Sequence, residues 1–183
     1  MKTRLETDRI LLISLDSTDT EQFFDFLVRN KEYFRKWSAQ YEENYFSVWY
    51  HRAWLESLEQ EALNGTQVKF GVYYKTNPNR IIGSVSLSNI IKGIFQSCFL
   101  GYRIDENETQ KGIATESIKS VIEYAFDELK LHRIEANVMP SNAASIKVVE
   151  KLGFINEGLA KNYLKVNGKW EDHYHFVLIN PKV

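Results

Sequence analysis

The spacing of apolar residues changes period several times along the chain, and each change marks an element. Residues 9–13 (RILLI) form a short apolar run that reads as a first strand. Thr18 followed three residues later by Glu21 has the spacing of a capping box, and a Phe-rich stretch after it predicts a helix. A second helix is predicted over residues 47–63, stopped by Asn64 and Gly65. The period then shortens. Residues 67–74 and 81–87 are rich in β-formers and separated by Thr76-Asn77-Pro78-Asn79, which predicts an antiparallel hairpin. Residues 97–104 predict another strand, with Cys98, Leu100, Tyr102 and Ile104 on one face.

Helical periodicity returns with Ile118, Val121, Ile122, Ala125, Phe126 and Leu129, which share one stripe. Residues 132–139 predict a strand ending at Pro140, and residues 143–152 a helix stopped by Gly153. Residues 163–166 and 169–179 flank Asn167-Gly168, the strongest short-range hairpin signal. The order is one strand, two helices, three strands, helix, strand, helix, two strands. It predicts an α/β fold, a mixed sheet with helices on both faces. No internal repeat, low-complexity segment or Pro/Gly/Ser linker interrupts the chain, so one domain over residues 1–183 is expected.

Charge and cysteine content narrow the function. A formal net charge of −1, with no basic block, argues against nucleic-acid binding, which needs a positive footprint. Cys98 is the single cysteine, so no internal disulfide is expected and a reducing compartment suits the chain. The N-terminal stretch reads as a strand rather than a signal peptide, and no apolar run approaches the ~20 residues that span a bilayer. A cytoplasmic protein without a membrane partner is expected.

The chemistry concentrates in QKGIATE, residues 110–116, between an acidic turn and the long helix. Small residues at Gly112 and Ala114 leave backbone N–H groups uncovered at the positive end of a helix dipole, a ready anion site. Lys111 adds charge and Thr115 a hydroxyl. The spacing matches neither a nucleoside-triphosphate loop nor a dinucleotide fold. Taken alone, the segment is either a pyrophosphate cradle or an ordinary helix start.

Further residues accompany it: LETDRILL at 5–12, EYFRKW at 32–37, GYRID at 101–105, HRIEA at 132–136, Asn142 and Ser145, EKLGF at 150–154, Glu157-Gly158 and NGKWED at 167–172. In this combination the chain resembles the GNAT superfamily of acyl-CoA-dependent N-acetyltransferases, and within it the RimJ/RimL branch of ribosomal-protein N-terminal acetyltransferases. The resemblance runs from about residue 5 to residue 178. It implies a mostly antiparallel sheet of six or seven strands, splayed at its centre. The family's phosphate loop carries Arg or Gln three residues before its glycine; here Thr109 holds that place and Gln110 comes one residue late.

The resemblance also implies a reaction: direct acetyl transfer from acetyl-CoA to an amine, most simply the N-terminal α-amino group of a ribosomal protein. Gln110, Lys111, Gly112, Ile113, Ala114 and Thr115 would cradle the coenzyme's pyrophosphate. A backbone N–H near Arg103 or Ile104 would polarise the thioester carbonyl, and Asn142 would bond the pantetheine arm. Ser145 matches a hydroxyl that can donate to the departing sulfur, and Glu157 a carboxylate that can act as base, directly or through water. Trp37, Tyr41 and Asp172 are expected in the acceptor pocket. Two other functions fit the residues: acetylation of a small amine such as a polyamine, amino acid or toxin, and a non-catalytic acyl-CoA-binding module. The oligomeric state, a homodimer included, is left open.

Two features invite other chemistry. Cys98 shares a strand face with Leu100 and Tyr102, so a small buried hydrophobe is expected rather than a nucleophile. His173 and His175 share a strand face, but a third metal ligand is missing from the pattern, and no metal is expected. Most of the aromatic residues between Phe23 and Trp54 are expected in the core.

Overall fold

The structure, a computed structural model, describes residues 2–182. Its strands are β1 (Arg4–Glu6), β2 (Ile10–Ser14), β3 (Val68–Tyr74), β4 (Gly83–Ile91), β5 (Ser97–Ile104), β6 (Arg133–Val138), β7 (Ile155–Val166) and β8 (Lys169–Ile179). Its helices are α1 (Thr20–Arg29), α2 (Lys31–Arg35), α3 (Val48–Leu63), α4 (Ile113–Asp127) and α5 (Ala143–Lys151). The strands form one sheet in the order β1-β2-β3-β4-β5-β6-β8-β7.

Every neighbouring pair is antiparallel except β5 and β6, which run parallel and pair only from Ser97 opposite Arg133 to Phe99 opposite Glu135. Beyond Phe99 the two strands part. β5 stays paired with β4 as far as Ile104, and β6 with β8 as far as Val138. The splay therefore leaves strand edges facing a gap in the middle of the sheet, where backbone groups need another partner.

Alternation along the strands sorts the core into two layers. Ile10, Leu12, Phe70, Val72, Val85, Leu87, Ile134 and Ala136 pack with Ile118, Val121 and Ala125 of α4 and Val149 of α5. Leu11, Leu15 and Tyr73 point the other way, against Phe23, Phe26 and Leu27 of α1, Phe34 of α2, and Leu55 and Leu58 of α3. Helices thus cover both faces, as the apolar pattern predicts.

Several boundaries differ from the sequence reading. The sheet has eight strands rather than six or seven, because the three-residue β1, too short to show a pattern, pairs with β2. The helix start at Thr18–Glu21 is displaced: Asp16 caps a 3-10 turn over Ser17–Asp19, accepting from the Thr18 N–H, while Asp19 accepts from the Asp16 N–H. α1 then begins at Thr20. The last hairpin is longer than expected, since β7 starts at Ile155; residues 155–162 are nearly all exposed and mix polar with apolar side chains, with no alternation to read. At its tip, Asn167 (φ 45°) and Gly168 (φ 83°) are both left-handed, as a two-residue hairpin turn requires. The Asn167 N–H donates to the Ser38 carbonyl, tying this tip to the segment after α2.

Candidate active site

Two cavities, of about 400 and 450 Å³, lie on either side of the splay. Both volumes suit small-ligand sites. The first is built largely from backbone. Gln110 (φ 62°) and Gly112 (φ 80°) are left-handed and turn the chain abruptly into α4. Gly112 caps that helix with no side-chain hydrogen bond, and the first helical bond runs from the Glu116 N–H to its carbonyl. The N–H groups of the intervening turn are thereby left for a ligand. Only glycine takes φ 80° at no cost, which is why it stands here.

The loop is braced from the turn just before β2. Arg9 donates through Nε (2.8 Å) and Nη2 (2.5 Å) to Glu116 and through Nη1 to the Lys111 carbonyl (3.2 Å). Glu116 also accepts from the Thr7 hydroxyl at 2.6 Å. Despite the raising effect of burial, these bonds hold its carboxyl below the usual range. A second brace lies at the end of β5. There the buried Asp105 accepts from Arg29 Nε at 2.8 Å, and Arg29 Nη2 donates to the Ile81 carbonyl, linking α1 to the start of the loop.

Of the expected coenzyme residues, Arg103, Ile104, Gln110, Gly112, Ile113, Ala114, Thr115 and Asn142 line this cavity, together with Thr109 and Tyr33. Lys111 does not: its ammonium pairs with Glu108 at 2.9 Å. The Thr109 hydroxyl is bound to the Glu106 carbonyl.

The second cavity is built from side chains on many elements. On the face of the sheet turned towards α1 and α3, Lys69 stands opposite Ser86 and Ser86 opposite Gly101. Ser84, Arg103, Asn137 and His173 complete that floor, and Phe23, Trp37, Tyr45, Tyr50, His51 and Trp54 enclose it.

The two cavities share Trp37, Tyr102, Arg103, Asn142 and Ser145. At this junction the Tyr102 hydroxyl lies 2.5 Å from Ser145 Oγ, and burial pushes the phenol above its ordinary value. Asn142 Oδ1 accepts from the Ser145 N–H at 3.1 Å, capping α5 and leaving the amide NH₂ of Asn142 uncommitted. Arg103 donates to Ser38 Oγ at 3.1 Å and lies over the Phe34 ring.

The remaining expected residues sit elsewhere. Tyr41 stacks on Tyr45 with centroids 4.5 Å apart and lines neither cavity. Asp172 accepts from the Asn162 N–H at 2.8 Å in the last hairpin. Glu157 is exposed on β7, where Arg133 donates to both carboxylate oxygens at 2.9 and 2.7 Å and holds its pKa down. Cys98 is buried, its thiol pushed up to about 12 by burial. His173 lines the second cavity, while His175 Nδ1 lies 3.3 Å from Glu135. Among the described residues, no group of three or more His, Cys, Asp or Glu side chains stands together to hold a metal, and no helix is long and apolar enough to cross a membrane. Lys69, His51, Trp54 and Tyr102 carry no motif and are brought together only by the fold.

Comparison with known proteins places this geometry. The model of the acetyltransferase (GNAT) domain family matches residues 9–155. The probable N-acetyltransferase YjcK of Bacillus subtilis is 38% identical over 177 residues, covering 97% of each chain. The [ribosomal protein uS5]-alanine N-acetyltransferase of Escherichia coli is 33% identical, covering 98% of this chain and 92% of that protein. The crystal structure of the ribosomal-protein-S5-alanine acetyltransferase of Vibrio fischeri superposes with a TM-score of 0.92 at 31% identity, over 98% of this chain and 97% of that one. With the splayed sheet and the glycine-capped loop in place, the chain belongs to the GNAT family and is an N-acetyltransferase.

Proposed function

We propose that this acetyl-CoA-dependent N-acetyltransferase delivers the acetyl group to the free α-amino group of a protein N-terminus, a ribosomal protein being the favoured class. The observation that carries the reading is the meeting of the two cavities at Trp37, Tyr102, Arg103, Asn142 and Ser145. Coenzyme enters from the loop side and the amine from the aromatic side. The near-full-length similarity to two uS5-alanine acetyltransferases supports the choice of acceptor.

In this reading the N–H groups of the first turn of α4 bind the pyrophosphate. The unpaired edge of β5 beyond Phe99 takes the pantetheine arm, and the amide of Asn142 bonds it. The amine nitrogen attacks the thioester carbonyl, the C–N bond forms, and the C–S bond breaks. The hydrogen-bonded pair Tyr102–Ser145 donates the proton that the departing thiolate takes up, and the proton lost by the amine nitrogen passes to solvent, from which the pair is reprotonated. An α-amine has a pKa of about 7.7–8, so a neutral fraction is available near pH 8 without a strong base.

The test is thiol release from acetyl-CoA with peptides starting in Ala or Ser, the same peptides with blocked N-termini, and polyamines. Release only with free N-termini is expected. Release only with polyamines would overturn the acceptor while keeping the transfer chemistry. Coenzyme binding with no release from any acceptor would point to a binding module.

A further inference from the structure

The acceptor cavity carries an imbalance of charge that acetyl transfer itself does not use. Lys69 and Arg103 line it, and among the described residues no aspartate or glutamate does. Lys69 lies two strands from Gly101, about 10 Å across the sheet. No hydrogen bond or ion pair to its ammonium is found among the described residues; it rests 5.7 and 5.5 Å from the ring centroids of Phe23 and Trp54. Aromatic faces offset part of the cost of burying a cation, but a counter-ion would offset far more. Burial, with Arg103 as the second cause, lowers the Lys69 pKa to about 7.

A second, independent feature lies in the same lining. His51 on α3 is 1% exposed, and neither ring nitrogen has a hydrogen-bond partner. Phe23, Phe24, Tyr45, Tyr50 and Trp54 surround it with their rings. Burial holds its pKa down against the raising effect of the Tyr45 backbone, so near pH 7 it is neutral; Tyr45 approaches the ring without forming a hydrogen bond of good geometry, and at least one ring nitrogen is unspent. Buried polar groups are nearly always satisfied, by protein, water or ligand, and this nitrogen borders a cavity in which an acceptor can take that place.

We propose that the cavity selects acceptors bearing a carboxylate within the first few residues after the reacting amine, balanced by Lys69 and Arg103, with His51 bonding a neutral polar group of the same acceptor. This selection rests on the protein N-terminus as acceptor and adds its chemistry: an acidic N-terminal segment, not a basic one. Polyamines are disfavoured by the same two cations. Besides Arg103, the titratable groups of the lining are His51 on α3, His173 on β8, Tyr102 on β5, and Tyr45 and Tyr50; none is a carboxylate.

Proton linkage gives a readout specific to Lys69. A carboxylate beside it raises its pKa, so binding between pH ~7 and ~10 takes up a proton. Stability has its own signature. With a folded pKa near 7 against an unfolded value near 10.5, the unfolded chain binds more protons between those values, and stability rises with pH across them. Removing the ammonium removes this penalty at pH 7, so Lys69→Met is expected to melt no lower than the parent protein and to lose the pH slope.

The experiment is calorimetric titration of the CoA-loaded protein, in which no transfer occurs, at pH 8.5 in two buffers of different ionisation enthalpy. The probes are two hexapeptides with free N-terminal Ala, one with Glu at positions 2 and 3 and one with Lys there. The Glu peptide is expected to bind at least about tenfold more tightly, with net proton uptake. Lys69→Met should lose both preference and uptake, and Lys69→Arg should keep the preference. Equal binding of the two peptides, tighter binding of the Lys peptide, no binding of the Glu peptide, or a preference surviving in Lys69→Met would each overturn the proposal. Thiol release with both peptides at equal rates would sink the charge selection while leaving the α-amine reading intact. Glu-peptide binding without thiol release would do the reverse.

Discussion

The two cavities that meet at Tyr102 and Ser145 are built on different principles. The coenzyme side uses backbone: a left-handed Gly112, the open N–H groups of α4 and the unpaired edge of β5. The acceptor side uses side chains drawn from α1, α3, β3, β4, β5, β6 and β8, with two cations and an unbonded imidazole among aromatic rings. A site made of backbone tolerates exchange of its neighbours but not of the residue that sets its dihedral angles. A site made of side chains can change its ligand one residue at a time while the sheet beneath it stays the same. Under the proposed function, the shared chemistry of acetyl transfer therefore resides on the first side, and the identity of the acceptor on the second.

The largest effect expected from breaking the backbone side comes from Gly112→Val. A β-branched residue is strained at φ 80°, and its Cβ would stand 3.4 Å from Arg9 Nη2, the group bracing the loop. Strain and the lost N–H contacts together amount to about 3–4 kcal/mol, or roughly a 10²–10³-fold rise in the dissociation constant for CoA. Binding of the free coenzyme checks it. Undiminished affinity would mean that the helix terminus is not the phosphate site.

Next comes the brace that joins the two sides. Asp105 is fully buried, and Arg29 with the Asn107 N–H keeps its carboxyl below the ordinary range against the raising effect of burial. Arg29→Met leaves the half-exposed Arg80 at 3.4 Å as its one cationic partner among the described residues and should cost about 3 kcal/mol, a fall in melting temperature of about 6–12 °C. The sign with pH follows. The folded carboxyl titrates below the unfolded one, so its contribution is complete above the unfolded pKa of ~3.9 and is lost as pH falls through the folded value. The gap between Arg29→Met and the parent should thus narrow in acid; a gap constant down to pH 3 would place the loss in packing instead.

These differences in construction also explain what was legible in the sequence. Gly112 and Ala114 lie within one short segment whose spacing reflects local geometry, so that segment could be read without the fold, while Asn142 and Ser145 came with the family resemblance. The splay could not be read from periodicity, because it depends on where β5 stops pairing with β6; it came with the family resemblance. Lys69 is one lysine on an amphipathic strand, and His51 one histidine on a helix. Only the register Lys69–Ser86–Gly101 and the packing of α3 over it bring them to the lining of one cavity. The strong cap at Asp16 was hidden behind a better-looking spacing at Thr18 and Glu21.

The junction should respond more gently than either brace. Ser145→Ala removes one of two hydroxyls 2.5 Å apart, and the Tyr102 hydroxyl remains at the junction of the two cavities. A loss of about tenfold in kcat is expected for it alone and about 10² for Ser145→Ala with Tyr102→Phe, the lower end of what a general acid supplies. KM for acetyl-CoA should move little, since the pyrophosphate contacts are untouched. A double variant that loses no more than Ser145→Ala alone would remove Tyr102 from the proton path.

The smallest effect is expected at Glu157, where family resemblance and geometry pull apart. The resemblance makes it a base. In the fold its carboxylate is exposed, lines neither cavity, and is clasped by Arg133, whose hydrogen bonds lower its proton affinity. A base must come within hydrogen-bond reach of the amine, directly or through one water. Glu157→Gln should therefore change kcat/KM less than about tenfold, against the ~10²–10⁴-fold typical of a lost acid–base catalyst. The rise of rate with pH should follow the acceptor's amine near pH 8 in parent and variant alike. If instead the variant loses more than about 10² and its pH profile flattens, Arg133 must release the carboxylate when both substrates are bound. The hairpin of β7 and β8 would then be a moving part of the acceptor side rather than its rigid flank.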